Sequence, residues 1–479
     1  MNHEFKPYPA YKDSGVPWLG EVPEHWEVLP NRALFAEVKD RDHPEEQMLS
    51  VTITKGVIRQ QALLAGSSKK DSSNLDKSAY KLVRPGDIAY NKMRAWQGAV
   101  GVSDYQGIVS PAYVVQRPRE GVHSRYVHYL LRTPAFAKEA ERWSYGITSD
   151  MWSLRPEHFK MIYGCLPPLP EQAAIVRFLD HVDRRIRRYI RAKQKQINLL
   201  EEQKQAIIHR AVTRGLDPKV RLKPSGVEWL GDVPEHWEVK RCRYLFREVD
   251  KRSADGSEQH LSMSQRLGLV PSHLVENRTL VSESYAGGKL CAAGDLILNR
   301  LKAHLGVFAL AQHSGVISPD YTVLRPIEPD GAEYFEQVLR SPACRRELRI
   351  RTKGIVEGFW RLYTDDFYDI RLPVPPAEER CAIIAYNRSA TTGIDRGVAA
   401  AKREIALLRE YRTRLIADVV AGKLDVREEA ARLPDEPEEP ELVDEAGREE
   451  DDDEVSDDSD IESIAAEAGT PAEGNGRGQ

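Results

Sequence analysis

The sequence predicts two mixed α/β (α+β) heads in tandem duplication, separated by two long helices that form an antiparallel coiled coil, with a disordered acidic tail at the C-terminus. Three observations predict this: blocks of sequence that occur twice, a heptad seam that also occurs twice, and a sharp segregation of charge. At 479 residues the chain is too long for one ordinary domain, and its length suggests about three units.

The repeat can be read directly. Residues 15–28 read GVPWLGEVPEHWEV and residues 226–239 read GVEWLGDVPEHWEV, identical at 12 of 14 positions with an offset of 211. Gly86-Asp87-Ile88, Asn91, Ala95, Gly98, Gly107, Ser110-Pro111, Tyr113 and Arg117-Pro118 return 208 residues later as Gly294-Asp295-Leu296, Asn299, Ala303, Gly306, Gly315, Ser318-Pro319, Tyr321 and Arg325-Pro326. Gly146-Ile147, Trp152, Leu154 and Phe159 match Gly354-Ile355, Trp360, Leu362 and Phe367 at the same offset of 208. Between the blocks, segments 29–84 and 240–293 share no convincing similarity, so a repeated frame carries unlike inserts. Readers of two different half-sites would need that arrangement; drift in loops after an old duplication would also leave it.

Within the heads, β-like runs at 107–115, 295–298 and 315–324 alternate with short helical patterns at 124–131 and 332–339. Each head ends in a proline-rich exit, Leu166-Pro167-Pro168-Leu169-Pro170 or Leu372-Pro373-Val374-Pro375-Pro376, which can lead into a helix but cannot lie inside one.

In the first helix Ile175, Leu179, Val182, Ile186, Ile190, Ile197, Leu200, Ile207 and Ala211 follow steps of three and four, with Lys193 and Lys204 at two further seam positions. The second runs in the same register from Ile394 through Val398, Ala401, Ile405, Leu408, Arg412 and Leu415 to Val419. Such a seam predicts a coiled coil, and one helix per half pairs most simply as an antiparallel couple about a pseudo-two-fold axis. From Ile175 to Ala211 the rod would span about 55 Å, more than the roughly 34 Å of one B-DNA turn. The expected boundaries are 1–165 and 218–371 for the heads, 166–217 and 372–426 for the spacer helices, and 427–479 for the tail.

The formal charge of −5 conceals two opposed parts. Residues 433–479 hold 19 acidic and 2 basic side chains, which leaves 67 basic and 55 acidic residues in the body, a net of +12. A basic body is the footprint of a polyanion binder, although many soluble domains are mildly basic too. The tail has too few apolar residues to offset its ordering entropy, and its charge would shield the body from nonspecific DNA.

Several classes are excluded or disfavoured. No uninterrupted apolar run approaches 18 residues and the first 14 residues lack a signal-peptide core, so no membrane segment is expected and the cytoplasm is the expected compartment. Cys165, Cys242, Cys291, Cys344 and Cys381 form no C-x-x-C pair and read as buried free thiols; no metal site is expected, and His25 and His236 have no second ligand nearby. The chain contains no phosphate-cradling glycine loop, no dinucleotide fingerprint and no Asn-Pro-Pro-aromatic signature, so it is expected to be non-catalytic and to hold no cofactor.

The tryptophan block and its copy, with LPPLPEQAAIVRFLD at 166–180 and INLLEEQKQAIIHRAVTRGLD at 197–217, resemble the specificity subunits of Type I restriction-modification systems. The resemblance in layout covers residues 1 to about 426. It implies that each half supplies a target-recognition domain for one part of a split, asymmetric double-stranded DNA site, with the paired helices as the ruler. It also implies two methylase subunits docked on the helical region, restriction subunits joining them, and no membrane. The sequence departs from the family in the extra residue of Ala377-Glu378-Glu379-Arg380 and in the acidic tail. The alternatives are a coiled-coil scaffold that reads no DNA, a specificity subunit of a methylation-only system, and a single-chain DNA-acting enzyme, the last disfavoured by the missing motifs.

Candidate DNA-binding residues fall in two groups. Lys92 and Arg94 beside Asn91, and Arg300 and Lys302 beside Asn299, put cations next to an amide after a β-like run, which suits phosphate contact and equally suits a solvated turn. In the unlike inserts, Arg59, Gln60, Lys69, Lys70 and Asn74 of the first head and Gln265, Arg266 and Arg278 of the second have donors suited to guanine or adenine edges. Trp18, Trp26, Trp229 and Trp237 could stack on bases, but such segments more often form a corner that locks the chain against its own helices. Arg184-Arg185-Ile186-Arg187-Arg188 could steer DNA, dock an acidic partner, or simply flank a coiled coil.

Overall fold

The computed structural model describes residues 6–64, 76–146, 151–264, 268–274, 285–354 and 360–434. The acidic stretch behind the tail expectation therefore lies outside the described residues. The chain forms two compact units, 1–189 with 406–479, and 190–405. The division cuts through both long helices, so each unit combines a mixed α/β head with part of each helix.

In the first unit, Phe35–Val38, Tyr113–Pro118, Ile88–Asn91 and Val100–Val102 form a four-stranded antiparallel sheet in that order. Lys81–Val83 pairs with Gly107–Val109, and Leu49–Thr52 forms a hairpin with Gly56–Arg59. Near the N-terminus Tyr11–Asp13 pairs with Glu21–Pro23, and Glu27–Pro30 pairs with Tyr163–Leu166, the strand leading to the exit. Ser124–Leu131 and Pro134–Arg142 are helices; Thr133 caps the second by accepting from Phe136 N, with Pro134 in its first turn. Trp26, Tyr90, Tyr126, Phe136 and Phe159 are the bulk of a core that also takes in Ile175, Leu179, Leu415 and Val419 from the two long helices.

The second unit has the same strand order. Phe246–Glu248, Tyr321–Pro326, Leu296–Asn299 and Phe308–Leu310 form its four-stranded sheet, Lys289–Cys291 pairs with Gly315–Ile317, and Leu261–Ser264 forms a hairpin with Gly268–Pro271. The inserts, unlike in sequence, thus build like strands.

One difference from the sequence reading concerns the β-like run at 107–115. It is two strands in different sheets, separated by a turn in which Tyr113 N donates to Ser110 O and Pro111 has no N–H for a ladder. The run at 315–324 is divided in the same way, with Tyr321 N donating to Ser318 O.

The long helices are Leu169–Arg214 and Ala377–Val420, 46 and 44 residues, and exceed the apolar seam at their ends. A seam marks only where the helices touch; the first turns instead enter the heads. In the second unit Ile197, Ala401 and Ile405 form a buried cluster flanked by Ile190 and Val398. Lys193 Nζ lies 2.6 Å from Glu404 and Lys204 Nζ lies 2.5 Å from Asp395. Since the partner numbers fall as the lysine numbers rise, the two helices pack antiparallel there. The seam lysines thus find carboxylates on the facing helix. In the first unit Arg412, the seam counterpart of Lys204, pairs with Asp183.

Candidate nucleic-acid interface

The tryptophan blocks form corners. Trp26 is fully buried, and its Nε1 donates to Glu171 Oε1 at 2.9 Å while His25 Nε2 lies 2.8 Å from Glu171 Oε2. In the second unit Trp237 Nε1 donates to Glu379 at 3.0 Å and His236 lies 2.8 Å from the same carboxylate. Both glutamates stand in the first turn of a long helix, where a negative charge is favoured. The same corners receive a helix end: Gly422, at φ +75°, lies against Pro23 and Trp26, and Gly215, at φ +74°, lies against Pro234 and Trp237. Each corner therefore grips the start of one long helix and the end of the other, and Trp26 and Trp237, both buried, are not available to stack on bases.

A second shared device holds the sheets. Arg117 Nε and Nη2 donate to the two carboxylate oxygens of Asp87 at 2.8 and 2.9 Å, and Arg325 does the same to Asp295 at the same distances. Asp87 also accepts from Arg84 N at 3.0 Å, and Asp295 from Ala292 N at 2.8 Å, which closes the turn before each strand. Both partners stand in the repeated blocks, so the repeat was the signal for them.

The first group of candidates lies on a built turn. Asn91 Oδ1 accepts from Met93 N at 2.9 Å, and Asn299 Oδ1 accepts from Leu301 N at 3.1 Å and Lys302 N at 3.3 Å. The amides are thus turn formers rather than ligand donors. Lys92 and Arg94 are half-buried, and Lys302 is exposed. Arg300 donates from Nε to Asp320 O at 2.8 Å. Lys92 O and Arg300 O accept from Leu154 N and Leu362 N, each at 2.9 Å, tying the cationic turns to the repeated Trp-x-Leu segments.

Of the second group, Arg59 is exposed at the end of its hairpin with its guanidinium 4.7 Å from the Tyr105 ring centroid, and Gln60 follows it, half-buried, at the start of the helix Gln60–Leu64. Lys69, Lys70, Asn74, Gln265, Arg266 and Arg278 lie outside the described residues.

Charge is less free than the sequence suggests. In the Arg184–Arg188 stretch, Arg187 pairs with Asp183 at 2.8 Å, while Arg185 and Arg188 are exposed. Lys81 is buried and donates from Nζ to Pro111 O at 3.2 Å, and burial, with Lys92 and Arg41 nearby, pushes its ammonium down to about 8. The five cysteines are free; four are buried as expected, but Cys381 is exposed near the start of the second long helix, where the chain turns its polar side outward. Among the described residues there is no group of three or more His, Cys, Asp or Glu that could hold a metal ion, and no helix is long and apolar enough to cross a membrane.

No family model matches the chain. The chain is similar to the Type I restriction enzyme EcoKI specificity subunit of Escherichia coli (strain K12), 22% identical over 395 residues that cover 76% of this chain and 82% of that protein. The chain is thus similar in sequence to a Type I specificity subunit. A solved chain from a study of complex assembly and conformational transition of the type I R-M system shares the fold, with a TM-score of 0.56 at 17% identity over 84% of this chain and 99% of that one. The HsdS subunit from Thermoanaerobacter tengcongensis aligns over 85% of this chain and 98% of its own at 18% identity, but with a TM-score of 0.39, too low to add to it.

Proposed function

We propose that the chain is the DNA-specificity subunit of a Type I restriction-modification complex and carries out no catalytic step itself. Residues 1–165 and 218–371 act as target-recognition domains, each reading one part of a bipartite, asymmetric site in double-stranded DNA. Residues 166–217 and 372–426 supply the paired helices on which two methylase subunits are positioned, with restriction subunits joining them in the cytoplasm. The observation that carries the reading is the likeness to a Type I specificity subunit over 76% of the chain.

The division of labour between side chains supports it. Repeated residues close the corners and turns, whereas Arg59 at the end of the hairpin and Gln60 at the start of the next helix lie in an insert unlike its counterpart in sequence and have donors suited to base edges. Lys92, Arg94, Arg300 and Lys302 serve as backbone contacts in this reading, and Lys69, Lys70, Asn74, Gln265, Arg266 and Arg278 as further base contacts.

The test is selection of randomised duplexes by the chain bound to its methylase subunits. A retained pool with two defined blocks around a fixed unspecified gap is the expected result. A pool with no preferred sequence would leave a scaffold that reads no DNA.

A further inference from the structure

The hairpin of Leu49–Thr52 and Gly56–Arg59 belongs to the unrepeated part of the first head and leads directly into Gln60. Its apolar face, Leu49, Val51 and Val57, shares a buried cluster with Val83, Ala89, Val109 and Val115. Such contacts hold the hairpin on the sheet without fixing its direction, because apolar burial is non-directional.

At the base of the hairpin Ile108 N donates to Gln47 O at 2.9 Å; at its turn, direction comes from one guanidinium. Arg132, just past the helix Ser124–Leu131, donates from Nη2 to Ile53 O at 2.7 Å and Thr54 O at 2.8 Å, both in the hairpin turn. Its Nη1 donates to Val100 O at 2.6 Å and Gly98 O at 3.4 Å, at the edge of the four-stranded sheet. The fork is planar and rigid, so four carbonyls on two segments are fixed relative to one another. The closure is tight: a Cβ on Gly101 would lie 3.1 Å from Gly56 Cα, and Gly56 itself has φ +71°. The counterpart in the second head, Arg340, makes the equivalent bond to the sheet edge, donating from Nη2 to Phe308 O at 2.6 Å, and also donates to Glu336 at 3.0 Å; the turn of the second hairpin lies outside the described residues.

We propose that Arg132 is a positioning residue for base recognition by the first head: by closing the hairpin turn onto the sheet edge it sets where Arg59 and Gln60 stand, without touching DNA. The inference rests on the DNA-reading assignment above and narrows it to one head.

The experiment compares the full chain with its methylase subunits as wild type, Arg132→Gln and Arg132→Lys. Each is used to select randomised duplexes, binding is measured against salt, and amide exchange is followed at 49–59. Expected for Arg132→Gln is faster exchange in the hairpin and a loss of about tenfold or more in base preference within one block of the site, the order of one base-pair discrimination. The other block and the salt slope stay as in the wild type, since no phosphate contact is touched. Arg132→Lys, which keeps donors but not the fork, falls between the two. Retention of both blocks by Arg132→Gln despite a released hairpin overturns the proposal, as does equal loss of both blocks. Absence of any preference in the wild type overturns the DNA reading itself, and the positioning role with it.

Discussion

Exchanging both charges where the first head sits on its helix should cost little, although exchanging either alone should cost a good deal. Arg125 Nη2 lies 2.9 Å from Asp180 Oδ1 on the first long helix. At an offset of 208 the second unit has the opposite polarity, Glu333 on the head and Arg388 on the helix, with Arg388 Nε 3.1 Å from Glu333 Oε1. The joint therefore needs complementarity rather than a particular sign. Like charges about 4 Å apart near a surface repel by at most about 4 kcal/mol at an effective dielectric of about 20. The Arg125 and Asp180 side chains are 41% and 28% exposed, so solvent screening and rotation reduce this to about 2 kcal/mol for Arg125→Glu. Asp180→Arg also strands the Tyr129 hydroxyl, which donates to Asp180 and is 5% exposed as a residue, adding about 1 kcal/mol. The double variant restores an ion pair and keeps only the Tyr129 deficit, so a coupling of about 4 kcal/mol is expected. The assay is a double-mutant cycle on denaturant unfolding of the full chain, with amide exchange at 124–131 reporting on the joint. Additivity within about 0.5 kcal/mol would refute the reasoning.

Three further outcomes follow from the geometry. Glu171→Gln should destabilise the first unit by about 1–2 kcal/mol through weaker bonds to Trp26 and His25, and Glu379→Gln should cost less because its side chain is 26% exposed against 6% for Glu171; melting of the two variants checks the order. Gly422→Ala should cost more than the roughly 1 kcal/mol of a left-handed alanine, since its Cβ would lie 2.4 Å from Pro23 Cδ, whereas Gly226→Ala, at φ +70° with open space around it, should cost only that; denaturant midpoints separate them. His128 accepts from Val102 N at 3.1 Å, and burial, with Arg132 and Arg125 nearby, holds it down to about 3. Because the unfolded chain binds a proton there that the folded chain refuses, stability should fall as pH drops below about 6.5, by about 2 kcal/mol at pH 5, and a His128→Gln chain should lack that slope.

Much of the architecture was legible because it rests on periodicity and repetition. The heptad seam located both long helices, and residues at its positions, from Ile186 to Ala211 and from Ile394 to Val419, are buried or half-buried in the structure. The tryptophan blocks were readable as corners, but Glu171 and Glu379 were not, because an acidic residue in a first helical turn is ordinary and only the facing indole makes it a partner. The strands of the inserts escaped notice since 49–52 and 261–264 share only a Leu-Ser pair, too short a match to stand out as a repeat. Arg132 recurs as Arg340 at the same offset of 208, but its role was not legible because its partners are main-chain carbonyls, which have no sequence signature.

The repeated and unrepeated residues divide along a physical line. Asp87 with Arg117, Asn91, Trp26 and Gly98, together with their counterparts, each satisfy a turn, a helix end or a buried indole; a substitution there strains the frame in either half. Arg59 is exposed where the hairpin ends, and the frame asks there only for an apolar hairpin face, since Leu49, Val51 and Val57 do the packing. The side chain at Arg59 is therefore free to change without disturbing the fold, provided the hairpin turn stays closed by Arg132. A Lys81 buried against the carbonyls of Pro111 and Tyr113 tolerates no such freedom: the basic residues of the body are not interchangeable in their use, and net charge alone does not show which of them are open to a partner.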